Sequence, residues 1–131
     1  MLKDRSIVVV DDSIVRGSTM RKLVRMLYAA GAAQVHLRIG APPVTHSCYY
    51  GIDTPNRSEL IAATHSTAEI ESYLGVDSLR YLSVEGLRSC VDDPDNYCTA
   101  CFSGEYPTVR NGVHPKDIFE HGCGCGGCEE S

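Results

Sequence analysis

The stretch that most constrains the fold is Ile7-Val8-Val9-Val10-Asp11-Asp12-Ser13-Ile14-Val15-Arg16-Gly17-Ser18-Thr19, followed at once by a change of period. The β-branched run Ile7 to Val10 reads as a strand buried on both faces of a parallel sheet. From Thr19 the apolar positions recur as Met20, Leu23, Val24 and Leu27, while Arg21, Lys22 and Arg25 fall off that stripe. This is the i, i+3, i+4, i+7 signature of an amphipathic helix. Ser18 or Thr19 is placed to cap its start, and Gly31 sits where a glycine commonly ends a helix. Gln34 to Ile39 alternates polar and apolar residues and reads as a second strand. Strand, helix and strand in so short a span make a βαβ unit, so the class is α/β.

Downstream, Ala41-Pro42-Pro43 opens a loop that carries Cys48 and continues through Gly51 to Pro55. Asn56 or Ser58 can cap a short helix reaching Ala63, and Thr67 opens another that ends at Gly75. Leu79 to Val84 suggests a third short strand, and from Asp92 the chain is rich in Asp, Gly, Pro and Cys with little periodicity. Residues 1–110 form the body, and 111–131, with the cluster HGCGCGGCEES, read as an irregular Cys/Gly-rich tail. With 131 residues, 43% of them hydrophobic and 22% charged, the chain suits one soluble domain. A net charge of -5 argues against general nucleic-acid binding. The apolar runs fall far short of the roughly 20 residues of a membrane span. Met1 to Ser6 leads directly into the first strand without a signal-peptide core, so the expectation is a cytoplasmic protein.

Ligands of open parallel α/β sheets bind beyond the carboxyl ends of the strands, where Asp11 and Asp12 fall. Behind them, the loop from Ser13 to Thr19 enters a helix N-terminus, whose unpaired N–H groups and partial positive charge suit an anion. Gly17 permits close backbone approach, and Ser18 and Thr19 add hydroxyl donors. The two carboxylates instead accept hydrogen bonds from hydroxyls or hold a hard cation such as Mg²⁺. A ribose 5-phosphate meets both demands. Asp12-Ser13 also suits an ordinary turn, and Ser18 an ordinary N-cap. Neither a Walker loop nor a GxGxxG fingerprint is present.

VVVDDSIVRGST resembles the phosphoribosylpyrophosphate (PRPP) signature of type I phosphoribosyltransferases. Its wording DDSIVRGST is similar to that of the glutamine PRPP amidotransferase family. RIGAPP, CYYGIDTP, ELIAATHS, YLSVEGL and CTACFSGEYPT resemble successive segments of that family, extending the likeness from residue 3 to about 109. The resemblance implies a partial type I phosphoribosyltransferase fold, a parallel sheet with flanking helices. It implies transfer of glutamine-derived ammonia to PRPP, giving phosphoribosylamine and pyrophosphate at the first step of purine synthesis. By position, Asp11 and Asp12 would hold the ribose hydroxyls and Mg²⁺; Arg16, Gly17, Ser18 and Thr19 would wrap the 5-phosphate, with Ser13 lining the same loop. No catalytic residue is assigned within the chain. The family's glutaminase half, its first phosphoribosyltransferase strands, its pyrophosphate loop and its closing loop have no counterpart here. The expectation is therefore a C-terminal portion that needs an N-terminal partner portion, homo-oligomeric in full-length form. A freestanding non-catalytic module for a phosphoribosyl ligand or an iron–sulfur cluster is the alternative.

Seven cysteines, an odd number, argue against a disulfide framework. Cys98-Thr99-Ala100-Cys101 is a C-x-x-C, a spacing shared by redox pairs and zinc sites. The polar DDPDNY before it does not supply a thioredoxin-like βαβ context. The resemblance adds a third option: in one branch of the family, Cys48, Cys98 and Cys101 correspond to three ligands of a 4Fe-4S cluster. The fourth lies upstream of the present sequence. Cys123, Cys125 or Cys128 could substitute, or could form a separate metal-binding tail. Cys90 reads as a small buried residue, Tyr49 and Tyr50 beside Cys48 as core packing or as packing over the cluster region, and His36, His46 and His65 as structural.

Overall fold

A computed structural model describes residues 2–108 of the chain. Three strands, β1 (Ser6–Asp11), β2 (Gln34–Ile39) and β3 (Ser78–Tyr81), form a wholly parallel sheet in the order β1-β2-β3. Ile7 pairs with Val35, and Leu37 lies between Val9 and Leu79. Helix α1 (Ser18–Ala29) makes the crossover between β1 and β2. Two short segments come after the long β2 loop, a 3-10 turn at Arg57–Glu59 and α2 (Ile61–Thr64). After them come α3 (Thr67–Leu74), β3, α4 (Val84–Arg88), a 3-10 turn at Pro94–Asn96 and α5 (Ala100–Ser103).

The period-2 rule divides the sheet into unlike faces. Val35, Leu37, Ile39 and Leu79 point to one side and pack with Met20, Val24, Ile70 and Leu74 from α1 and α3. Ile7, Val9 and Tyr81 border this core. The other face carries Val8, His36, Ser78, Val10, Arg38 and Arg80 in register. Val8 is 60% exposed and Val10 76%, which corrects the expectation of a strand buried on both sides. Both layers of the core come from one face, so nothing among the described residues covers the second.

Helix α3 obeys its sequence signals closely. Ser66 accepts a hydrogen bond from the Glu69 amide, while the Glu69 carboxylate accepts from the Ser66 amide, a complete capping box. Gly75 ends the helix. Helix α1 is begun differently from the expectation. Neither Ser18 nor Thr19 caps it; Gly17 stands at the N-cap in the left-handed region, at φ 76°, with no side-chain cap. Leu23 is 38% exposed because the buried stripe runs through Met20 and Val24, turning Leu23 toward the loop that precedes the helix.

Other boundaries shift for local reasons. The third strand ends at Tyr81, since Ser83 accepts from the Gly86 amide and starts α4. The helix expected up to Ala63 divides into the 3-10 turn and α2, and Asn56 makes no side-chain cap. Cys90 is exposed, not buried: it lies just past the end of α4, where its thiol donates to the Gly86 carbonyl at 3.3 Å. No helix of the described residues is long and apolar enough to cross a membrane.

Candidate functional site

Asp11 ends β1, and the chain beyond it bends into a cavity of about 330 Å³. Asp11, Ser13, Arg16, Gly17, Ser18 and Thr19 line it, so six of the seven residues expected to bind a phosphoribosyl group meet at one place. Asp12 is absent from the wall; its amide donates to Asp11 Oδ1 at 3.0 Å, closing a tight bend that turns it outward. Ile14, Val15, Met20 and Leu23 complete the wall, and no polar-motif reasoning singles them out.

The loop is held by a segment far away in sequence. The Ile61 amide donates to the Val15 carbonyl at 2.9 Å. A Cβ at Gly17 would lie 3.1 Å from Ile61 Cδ1, so a side chain there would be both strained and crowded. Arg16 donates from Nε to Glu59 Oε2 at 2.9 Å, and Nη2 lies 2.8 Å from the same oxygen. Glu59 is not visible in the sequence as a site residue because 43 positions separate it from Arg16 without any shared motif.

A second cavity, of about 530 Å³, shares Ser13 and Val15 with the first. Its wall includes Cys48, Cys98 and Cys101, together with Tyr50, Phe102 and Tyr106. The Cys48 loop is fixed by polar side chains inside it. Ser47 donates to the Pro55 carbonyl at 2.7 Å, and the Cys48 amide donates to Thr54 Oγ1 at 2.7 Å. The amides of Thr45 and His46 both donate to the Cys101 carbonyl at 3.0 Å, tying this loop to α5. His46 is pushed below its ordinary pKa by burial and by the nearby Arg57 charge, which favours the neutral ring.

Burial pushes the Cys101 thiol up, and charge on Cys48 and Cys98 adds to that shift. All four described cysteines are free thiols. Cys98 and Cys101 straddle the start of α5, but a 3-10 turn and not a strand precedes them, so the thioredoxin context is indeed missing. Among the described residues, no group of three or more His, Cys, Asp or Glu is drawn closely enough together to hold a metal ion. Tyr49 and Tyr50 are 37% and 43% exposed, and they approach Tyr106 at 5.3 and 6.2 Å between ring centroids. Tyr50 lines this cavity, Tyr49 stacks edge-on against Tyr106 beside it, and neither belongs to the core. Cys123, Cys125 and Cys128 lie outside the described residues.

No family model matches the chain. Curated proteins do. It is 55% identical over 121 residues to an amidophosphoribosyltransferase of Synechocystis, covering 91% of this chain and 24% of that protein. The chain is homologous to a segment of amidophosphoribosyltransferase. The Bacillus subtilis amidophosphoribosyltransferase is 50% identical over 126 residues, covering 92% of this chain and 26% of the relative. Glycine max has a chloroplastic amidophosphoribosyltransferase at 53% identity over 119 residues, 90% of this chain and 20% of the relative. The chain thus spans about a quarter of the length of the curated relatives it matches.

The fold agrees. A solved structure of the allosteric regulatory enzyme of purine biosynthesis superposes with a TM-score of 0.74 at 50% identity, covering 82% of this chain and 24% of that one. The B. subtilis glutamine PRPP amidotransferase, solved with ADP and GMP, gives 0.75 at 49% identity, covering 83% and 25%. The three-stranded parallel sheet with its helices is therefore a partial phosphoribosyltransferase fold of the kind these amidotransferases contain.

Proposed function

We propose that this chain supplies the ribose-phosphate half of an amidophosphoribosyltransferase site, acting on PRPP with glutamine-derived ammonia. The observation that carries the reading is the first cavity: Asp11, Ser13, Arg16, Gly17, Ser18 and Thr19 on one wall at the carboxyl end of β1. The loop amides and hydroxyls before α1, with the Arg16 guanidinium, suit a phosphate. Asp11, exposed at the same mouth, suits a ribose diol, with Asp12 beside it in sequence. Asp11 at the mouth is an oxygen donor of the kind Mg²⁺ takes, and Asp12 would have to turn inward to join it; the ion when bound would neutralise charge on the departing pyrophosphate.

In the reaction, the ammonia lone pair forms a bond to the ribose C1 as the C1–oxygen bond to pyrophosphate breaks. Pyrophosphate leaves with the electron pair, and the ammonium formed at C1 loses a proton to solvent. The residues of this chain orient the sugar and place carboxylate charge near a carbon that becomes electron-poor, so positioning and electrostatics are their contribution. The remaining three quarters of the relatives' length is where ammonia release and pyrophosphate binding would reside. A homo-oligomeric assembly belongs to that whole protein.

For the second cavity, we propose an iron–sulfur site with Cys48, Cys98 and Cys101 as ligands. Three thiols on the wall of one cavity are such a donor set in kind, and they would have to draw closer together than they stand here to share a cluster. A 4Fe-4S cubane takes four thiolates, so one ligand must come from outside the described residues. Anaerobic reconstitution with iron and sulfide, of the chain joined to the remainder of such an enzyme, should yield a brown, broadly absorbing protein that loses its colour in Cys48→Ser, and a colourless one would rule the site out.

Calorimetry of the chain with ribose 5-phosphate, and with PRPP plus Mg²⁺, tests the main reading. Binding heat that disappears in Asp11→Ala and Thr19→Ala is expected. Binding that survives both substitutions would place the ligand elsewhere. Ammonia-dependent pyrophosphate release should appear only when the chain is joined to the remainder of such an enzyme. Binding without any gain on such joining would favour a non-catalytic phosphoribosyl-binding module.

A further inference from the structure

Arg16 lines the ribose-phosphate cavity, yet its guanidinium is already engaged. Nε and Nη2, one edge of the planar fork, both address a single oxygen of Glu59 at 2.9 and 2.8 Å. The opposite edge, with Nη1, makes no contact with Glu59. A guanidinium presents five N–H donors in a fixed plane, so anchoring one edge sets the direction in which the other points.

Glu59 is itself well placed to serve as an anchor. It closes the 3-10 turn Arg57–Glu59, with its amide donating to the Asn56 carbonyl at 2.9 Å. Two residues on, Ile61 grips the same loop twice, through its amide on the Val15 carbonyl and its side chain against Gly17. Residues 59–61 thus contact three successive loop residues, Val15, Arg16 and Gly17. An ion pair with side chains 56% and 45% exposed adds little to stability; its consequence is orientation.

We propose that Glu59 is a positioning residue: it holds one edge of Arg16 so that the other edge is presented to the phosphate of the ligand. The inference rests on the ribose-phosphate reading of this cavity. Two effects oppose each other when phosphate arrives. The Glu59 carboxylate repels the anion, but it has also fixed a long side chain whose ordering would otherwise oppose binding. Water at the open mouth screens the repulsion, so ordering is the larger effect.

The test is calorimetric titration of the 131-residue chain with ribose 5-phosphate, in wild type, Glu59→Ala, Glu59→Gln, Arg16→Ala and the double variant Arg16→Ala/Glu59→Ala. Both side chains are exposed, so truncation leaves no core cavity, and coincident thermal melts check this. Glu59→Ala should weaken binding about two- to tenfold. Glu59→Gln, which keeps an acceptor oxygen at the same reach, should weaken it less. In the Arg16→Ala background, removing Glu59 should have no further effect. An unchanged or tighter Glu59→Ala overturns the proposal, and so does an equal loss in both backgrounds, which would make Glu59 a wall support independent of Arg16. A wild-type chain that does not bind ribose 5-phosphate removes the underlying reading together with this one. Wild-type binding with an indifferent Glu59→Ala removes this one alone.

Discussion

The two cavities share Ser13 and Val15 but are constructed in opposite ways. The first cavity, proposed for the ribose phosphate, is almost one run of sequence, Asp11 to Leu23, lying across a strand end and a helix start. The thiol cavity is assembled from a loop after β2 and a loop around α5, roughly fifty residues apart, with little regular structure in either. Each nonetheless depends on one left-handed glycine pressed against a partner segment. Gly17, at φ 76°, faces Ile61, and Gly104, at φ 80°, faces the His46 ring. Each loop thus pairs a backbone turn that other residues resist with a close packing partner.

The largest predicted effect falls on the thiol side. In Gly104→Ala, a non-glycine residue in the left-handed region costs about 1–3 kcal/mol. The new Cβ would also sit 2.8 Å from His46 Cε1 and Nε2, a distance real Cβ atoms do not tolerate. Hydrogen bonds from Thr45 fix that ring's neighbourhood: its hydroxyl lies 2.9 Å from His46 Nδ1 and donates to the Phe102 carbonyl at 3.0 Å. The variant should unfold at lower urea and expose Cys101 to iodoacetamide sooner, with ribose 5-phosphate affinity kept. Loss of both properties together would mean that the cavities are one cooperative unit.

Gly17→Ala is the mirror experiment, with a somewhat smaller effect. The backbone penalty is the same about 1–3 kcal/mol, but the contact is 3.1 Å to a methyl at the end of a flexible side chain. Ribose 5-phosphate binding should fall below detection in calorimetry, because the amides after residue 17 no longer line up. Alkylation of Cys101 should proceed as in wild type. Accelerated alkylation would show that the shared Ser13 and Val15 wall transmits the disturbance.

The same contrast explains which features are legible in the sequence. The motif DDSIVRGST is legible because contiguous residues carry both the turn and the chemistry, and the βαβ frame is evident from its change of period. Helix α3 is legible because a capping box and a terminal glycine are local. Arg16–Glu59 is not, since only tertiary packing brings residue 59 to the loop. Ile7–Val10 suggests a two-sided strand wrongly, because an apolar run reports the preference of a strand, not whether a second layer is present to cover it. Cys90 misleads for a related reason: helix α4 is only five residues long, too short to bury a side chain just past its end.

The smallest effect separates the cavities by pH. The Asp77 carboxylate accepts from the Tyr28 hydroxyl and from the Val35 amide, each at 2.7 Å, joining α1, β2 and the entry to β3. These hydrogen bonds, Tyr28 first, hold its pKa below the ordinary 3.8. A carboxyl whose folded pKa lies below its unfolded value favours folding while ionised, so its contribution is full above about 3.8 and fades as pH falls through the folded pKa. Tyr28→Phe removes the first cause and should make the urea midpoint less steep in pH over that acid range, while leaving it parallel to wild type near neutrality. The Asp77 stitch belongs to the sheet that carries the loop of residues 13–19. Acid should therefore loosen the amides of that loop in hydrogen exchange before it loosens those of Thr45 and His46, which are held by the Cys101 carbonyl. Simultaneous loss of both would mean that the thiol cavity has no stability apart from the sheet.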